Sequence, residues 1–267
     1  MKKLFIFAIA VLGMLACSEK NTPDDSTARE VSLPGQFSVD YGKKVQFSQG
    51  NLQYKASTGT WRFAGQQYDI IGANNANISS TYSGWIDLFG WGTGNNPTLA
   101  SKDNKDYSTF VDWGDNAISN GGNKAKTWRT LTADEWEFLF NNRYDADSKK
   151  GQATIDGIHG YVFLPDEWIC PSEIHFSPNP GNWTTNEYTA DKWSQMEQAG
   201  AVFLPAAGIR RDGYTIRSVG SIGYYWSSAP YDDDACCFYF DLSISFRGFG
   251  HNTISQGYSV RLVRNVE

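Results

Sequence analysis

The chain has 267 residues, enough for one large domain or two small ones with a substantial core. Its formal net charge is −6 and no Lys/Arg cluster reverses that balance, which excludes the basic face that nucleic-acid binding needs. Aromatic residues make up 15% of the chain and 26 residues are glycine, so the expected fold is loop-rich and uses Trp, Tyr and Phe both inside and at its surface.

The first residues read as a targeting segment. Met1-Lys2-Lys3 is a short positive stretch, followed by an apolar run from Leu4 to Leu15 that is short for a membrane span. The run ends in Met14-Leu15-Ala16-Cys17, which resembles a bacterial lipoprotein signal. That resemblance implies cleavage before Cys17 and attachment of lipid to its sulfur, leaving a membrane-anchored lipoprotein at the outer membrane or cell surface. A plain secretory signal is the alternative. Residues 17–32 are polar, with Pro23, Asp24 and Asp25, and read as a flexible tether; the folded domain is expected over 33–267. Beyond Cys17 there remain Cys170, Cys236 and Cys237, without the spacing of a disulfide framework or a zinc site.

Along the domain, 45-VQFSQGNLQY-54 and 61-WRFA-64 read as short strands around Gly/Asn turns. The stretch from Ile78 to about Lys126 is rich in Gly, Asn and Ser, and reads as long loops pinned by Phe89, Trp91 and Trp113. Two helices follow. In 132-TADEWEFLFNNR-143, Thr132 and Glu135 form a capping box, with Trp136, Leu139 and Phe140 on one face. In 189-TADKWSQMEQAG-200, Thr189 is the cap, Trp193 and Met196 share a face, and Gly200 is the stop. Between them 161-YVFLPDEWICP-171 is a strand ended by Pro165. After Gly200 the pattern is strand-like at 201-AVFLPAAG-208, 224-YYWSS-228, 236-CCFYFDLSIS-245 and 258-YSVRLVR-264. Strands after helices, joined by Gly-rich turns, predict an α+β fold with a small antiparallel sheet.

The most informative segment is 235-ACCFYFDLSISFRGFGH-251. Phe238, Phe240, Leu242 and Ile244 share one parity; Tyr239, Asp241, Ser243 and Ser245 share the other, extended back to Cys237. Strict alternation predicts one buried and one displayed face, and puts Cys236 and Cys237 on opposite sides, which opposes a vicinal disulfide. The flanks Tyr231-Asp232-Asp233-Asp234 and Arg247-Gly248-Phe249-Gly250-His251 read as loops. The predicted ligand-binding set is therefore Tyr231, Asp232, Asp234, Cys237, Tyr239, Asp241, Ser243, Ser245, Arg247, Phe249 and His251, a mixture with no shared catalytic logic.

Several segments together carry a resemblance: 46-QFSQGNLQY-54, 61-WRFA-64, 80-STYSGWIDLFGWGTG-94, 130-TLTADEWEFLF-140, 201-AVFLPAAG-208, 223-GYYWSS-228 and 257-GYSVRLVR-264. They resemble exported lipoproteins of Bacteroides-type gut bacteria in the formylglycine-generating-enzyme-like group. The resemblance implies a C-type-lectin-like fold over most of the domain. Within it, 129-RTLTADEWEFL-139 is similar to that group's helix-opening Arg-Leu-Pro-Thr-x-x-Glu-Trp-Glu motif, with Glu135, Trp136 and Glu137 matching as structural residues. Catalysis in the enzymes of the group uses two copper-binding cysteines, and adjacent Cys236 and Cys237 do not supply convergent sulfurs. No enzyme activity and no cofactor are therefore expected; an oxidoreductase that has moved its chemistry, or a structural paralogue that binds nothing, are the alternatives.

The same fold serves the variable proteins of diversity-generating retroelements, which are binding proteins diversified at adenines. Tyr225-Trp226-Ser227-Ser228 and Gly257-Tyr258-Ser259-Val260-Arg261 resemble the fixed borders of their variable segments. Randomising the adenines of an Asn codon never yields Lys, Glu, Gln, Met or Trp, and none of the five occurs between Ala229 and Ser255. Strands disfavour Lys, Glu and Gln in any case. The expected partner is a protein or glycan at the cell surface, with no nucleic acid.

Other clusters read as structural. Asp232-Asp233-Asp234 lacks the spacing of a calcium loop and reads as a charged turn. His159 is expected in a Gly-flanked turn and His175 in a strand-like run, neither beside a nucleophile. Trp85, Phe89 and Trp91 are expected to pack in the core, and Arg210, Arg211 and Arg217 to lie on a surface loop.

Overall fold

The structure is a computed structural model that describes residues 32–107, 109–241 and 247–266, with the backbone but not the side chain of Arg247. The expected signal, tether and lipidation site at Cys17 lie outside the described residues, as do Leu242 to Phe246, including Ser243 and Ser245.

The fold is α+β, with two short helices and its strands divided among small sheets. The domain opens with β1 (Phe37–Asp40), β2 (Lys43–Phe47), β3 (Leu52–Lys55) and β4 (Thr60–Phe63). A long segment of turns then leads to α1 (Ala133–Glu137). Next come β5 (Lys150–Ile155), β6 (Ile158–Phe163), β7 (Glu187–Tyr188) and α2 (Ala190–Gln198). The C-terminal part holds β8 (Val202–Pro205), β9 (Ile209–Arg211), β10 (Thr215–Arg217), β11 (Ile222–Tyr231), β12 (Asp234–Asp241), β13 (Arg247–Thr253) and β14 (Val263–Asn265).

β14 pairs with β2, Val263 opposite Phe47, in the sheet β1-β2-β14. Two hairpins, β3-β4 and β9-β10, stand beside the four-stranded sheet β7-β5-β6-β8 and the three-stranded sheet β11-β12-β13. Among the described strands, every pairing is antiparallel except β5 with β7. Asp156-Gly157, both at positive φ, makes the two-residue β5-β6 turn, the Asp-Gly signature of a tight hairpin.

The capping box of α1 forms as expected. Glu135 N–H donates to Thr132 Oγ1 at 3.2 Å, and Thr132 N–H donates to Glu135 Oε2 at 2.9 Å. Arg129 clamps the same carboxylate with bonds of 2.6 and 2.8 Å. The helix is shorter than predicted: after Glu137 it widens into a π turn over Phe138–Asn142, which still buries Leu139 and Phe140. α2 starts at its Thr189 cap, and Gly200, at φ 97°, ends it. There a side chain at Gly35 would meet the Gly200 carbonyl oxygen at 2.2 Å, so the two backbones touch.

Phe89, Trp91 and Trp113 are buried and pin the long segment, whereas Trp85 is only half-buried beneath Arg62, whose guanidinium lies 3.7 Å from the ring centroid. Three other expectations fail. Arg210 belongs to β9 and is fully buried, donating to the Gly213 carbonyl at 2.8 Å, because the Gly257 backbone pairs across it. Tyr258 and Ser259 make only isolated bridges, to Phe89 and Tyr225, and regular strand begins only at Val263. His159 lies in β6 with its ring stacked on Trp183, and His175 lies in no strand.

Candidate ligand-binding surface

Most of the predicted binding residues described lie on the sheet β11-β12-β13 or on its turn. Cross-strand partners put Phe238 opposite Tyr225 and Phe249, and Tyr239 opposite Tyr224 and Gly248. Opposed residues share a face, so the sheet has a Phe238 side and a Tyr239 side. On the first, Phe238 and Phe240 are fully buried, and Trp136 of α1 stacks on Phe238 at 5.3 Å. A side chain at Gly223 would meet the Phe240 ring at 2.2 Å. This is the buried face that the alternation predicted.

The other face is covered at one end. Cys237, predicted as displayed, is 1% exposed. Its partner Trp226 packs on Tyr258 at 4.3 Å, and these rings close over the thiol. Further along, Tyr239 and Asp241 are half-buried. Tyr224 stacks on Tyr258 at 4.5 Å and on Tyr239 at 5.7 Å, forming an aromatic ladder from core to surface. Burial, then the neighbouring Cys237 and Tyr239, push the Tyr224 phenol up to about 12, so it is a neutral donor at physiological pH. A side chain at Gly250 would meet Tyr239 Cε1 at 2.9 Å, so the ring lies across β13.

The predicted flanks are strands, not loops. Arg247–Thr253 is β13, so Phe249 is a strand residue that packs partly against the core while His251 is exposed. Asp234 begins β12, and only Asp232-Asp233 form the turn, with Asp232 at φ 48°. His251 Nδ1 lies 3.0 Å from Asp234 Oδ2, and its ring stacks on Tyr231 at 4.0 Å. The predicted residues thus spread around one hairpin: Tyr231, Phe249 and His251 beside α1, Cys237, Tyr239 and Asp241 on the opposite face, Asp232 in the turn and Asp234 at the start of β12 next to it.

Against the turn lies a cleft of about 580 Å³. One wall is Pro230 and Asp232 to Asp234; the other is Asn104, Lys105, Thr109 and Phe110, over a floor that includes Trp91, Tyr107 and Ile254. Asn104 Nδ2 reaches the Asp233 carbonyl at 3.3 Å, while its Oδ1 is shielded from solvent and has no hydrogen-bond partner among the described residues. Apolar rings beneath a ring of amide, carboxylate and ammonium groups suit a polar ligand with one flat side. Asn104, Lys105, Tyr107, Thr109, Phe110 and Tyr224 were not anticipated as site residues. Tyr224 had a signal, its parity in 222-IGYYWSS-228; Asn104, Lys105, Tyr107, Thr109 and Phe110 had none, because the tertiary fold alone brings them to the turn.

The two thiols of β12 are poor nucleophiles. Burial, with Asp134 adding to it, pushes Cys236 up, and burial pushes Cys237 far up, so both stay protonated. Among the described residues no three His, Cys, Asp or Glu side chains gather as metal ligands. No protein-family model, curated protein or solved structure matches the chain.

Proposed function

We propose that the protein is an exported, lipid-anchored binding protein with a C-type-lectin-like fold. It presents a ligand surface on the β11-β12 turn and the strands behind it, and carries out no chemistry there. The observation that carries this reading is the cleft at Asp232 to Asp234, open to solvent, lined by mixed polar groups and aromatic rings, and built on a buried Phe238 face that fixes its position. The protonated thiols and their opposite directions on β12 favour binding over an oxidase. The ligand class is a surface protein or glycan, and diversification of 229–251 by a retroelement is the proposed origin of its mixed side chains.

Two experiments test this. The full-length protein is screened against soluble oligosaccharides and purified cell-surface proteins. A captured ligand is expected to bind at least about tenfold more weakly to Asp232→Ala with Lys105→Ala, without change in the unfolding midpoint. Capture indifferent to both substitutions removes the cleft from the reading. Separately, the gene neighbourhood should hold a reverse transcriptase and a near-copy of the codons for 229–264 that differs only at adenines; without them the retroelement origin is abandoned. Labelled palmitate on wild type but not on Cys17→Ser checks the anchor.

A further inference from the structure

Between α1 and the outer part of the β12-β13 ladder lies a recess of about 200 Å³, lined by Ala133, Glu137, Tyr231, Cys236, Phe249 and His251. Its walls are largely aromatic: the Tyr231 ring, 49% exposed, stacks on His251, and Phe249 stands on the next position of the same strand face. Its rim is acidic. Glu137 and Asp134 lie one turn apart on α1, both are exposed, and neither carboxylate has a hydrogen bond or ion pair among the described residues. The one basic side chain among the lining residues, His251, already faces Asp234. Free carboxylate beside open ring faces is the chemistry that holds an organic cation, because both attract it and the walls remove part of its water.

The strand beside the recess indicates how such a cation arrives. β13 is an edge strand, and Phe249 to Asn252 make no backbone hydrogen bond outside the β12 ladder among the described residues. Phe249, Gly250 and Asn252 are half-buried and His251 is exposed, so the strand is reached by solvent over these four residues. A strand at a sheet edge accepts an extended peptide as a further strand, whose alternate side chains then fall on the recess face.

We propose that the recess takes an arginine or lysine side chain from an extended peptide that pairs with β13. This rests on the reading of the protein as a binding protein and names the partner of one part of its surface: a polypeptide, cationic and extended. Glu137 supplies the charge, Tyr231 and Phe249 the apolar walls for the stem, and β13 the backbone register.

The test uses the full-length protein in detergent and a labelled, blocked threonine-valine-arginine-valine-threonine pentapeptide, with its citrulline counterpart. The arginine peptide is expected to bind about tenfold more tightly than the citrulline peptide. Amide exchange should slow across β13. Glu137→Gln should reduce the preference to about twofold while leaving the citrulline peptide unaffected, and Tyr231→Ala should weaken the arginine peptide. Both side chains are exposed, and an unchanged unfolding midpoint verifies that the variants fold. Equal affinity for the two peptides, no protection of β13 at millimolar peptide, or equally tight binding of free acetyl-arginine amide overturns the proposal. So does a dimer through β13, seen by light scattering, that the peptide does not displace. If these results are negative while a ligand is captured at the Asp232 cleft, the binding reading stands and the cation pocket falls.

Discussion

Adjacent residues on an extended strand leave opposite faces of the sheet, and the two cysteines of β12 show how much environment that one-residue step changes. Cys236 looks toward α1 and is partly exposed, Cys237 lies beneath Trp226 and Tyr258, and Cys170 stands free at the surface. A maleimide at pH 8 should therefore label Cys170 quickly, Cys236 slowly and Cys237 only on unfolding, a sequence readable by peptide mass spectrometry; early labelling of Cys237 would show that the aromatic lid is not closed. Asp87 carries a second residue-scale prediction. It is fully buried, and burial pushes it up to about 6 against the hydrogen bonds from Ile71 and Asn75. The folded state thus binds this proton more tightly than the unfolded chain. Its contribution to stability is greatest below about pH 4 and declines, by on the order of 3 kcal/mol, as pH rises to about 6. Urea unfolding at pH 4 and pH 7 should show that loss in wild type and not in Asp87→Asn.

At the scale of elements, α1 and β12 depend on each other. The capping box and the Arg129 clamp set the helix, the helix sets Trp136, and Trp136 stacks on Phe238. Phe238→Ala removes a ring from the centre of that contact and should cost about 3–5 kcal/mol in urea unfolding. Thr132→Ala should cost about 1 kcal/mol, and Tyr239→Ala, on the half-exposed face, no more than about 1 kcal/mol. If Tyr239→Ala costs as much as Phe238→Ala, the faces of β12 are assigned the wrong way round. The capping box was legible in the sequence because its spacing is a local chemical requirement, and so was the period-two run at 238–241. The end of α1 at Glu137 was not, since Leu139 and Phe140 keep their apolar spacing through the π turn and only the backbone changes.

At the scale of the molecule, the last strand closes the fold. Val263 pairs with β2 on one side and exchanges both backbone hydrogen bonds with Arg129, at 2.8 and 2.9 Å, on the other. It links the N-terminal sheet to the segment that enters α1. Truncation after Leu262 should lower stability by about 3–5 kcal/mol and expose the β11-β13 sheet to proteolysis, which limited trypsin digestion will detect. A truncated chain as stable as wild type would mean that the terminal pairing is incidental. Gly200 and Gly35 make a comparable long-range contact, and neither has room for a Cβ.

The α+β class, the caps of both helices, the burial of Phe89, Trp91 and Trp113 and the alternation at the start of β12 were all legible in the residues. Each of these follows from local chemistry: a hydroxyl placed to accept a backbone N–H, a run of period two, a bulky ring between small residues. Long-range packing alone covers Cys237, buries Arg210 and Arg261, and brings Asn104, Lys105, Thr109 and Phe110 to the turn at Asp232. Arg261 shows the reason. It sits in 257-GYSVRLVR-264 as a polar residue of a strand-like run, yet is 1% exposed and donates to Gln67 Oε1 at 2.6 Å, almost the length of the domain away in sequence. Which side of a strand is dry depends on what the rest of the chain lays over it, and no local pattern encodes that.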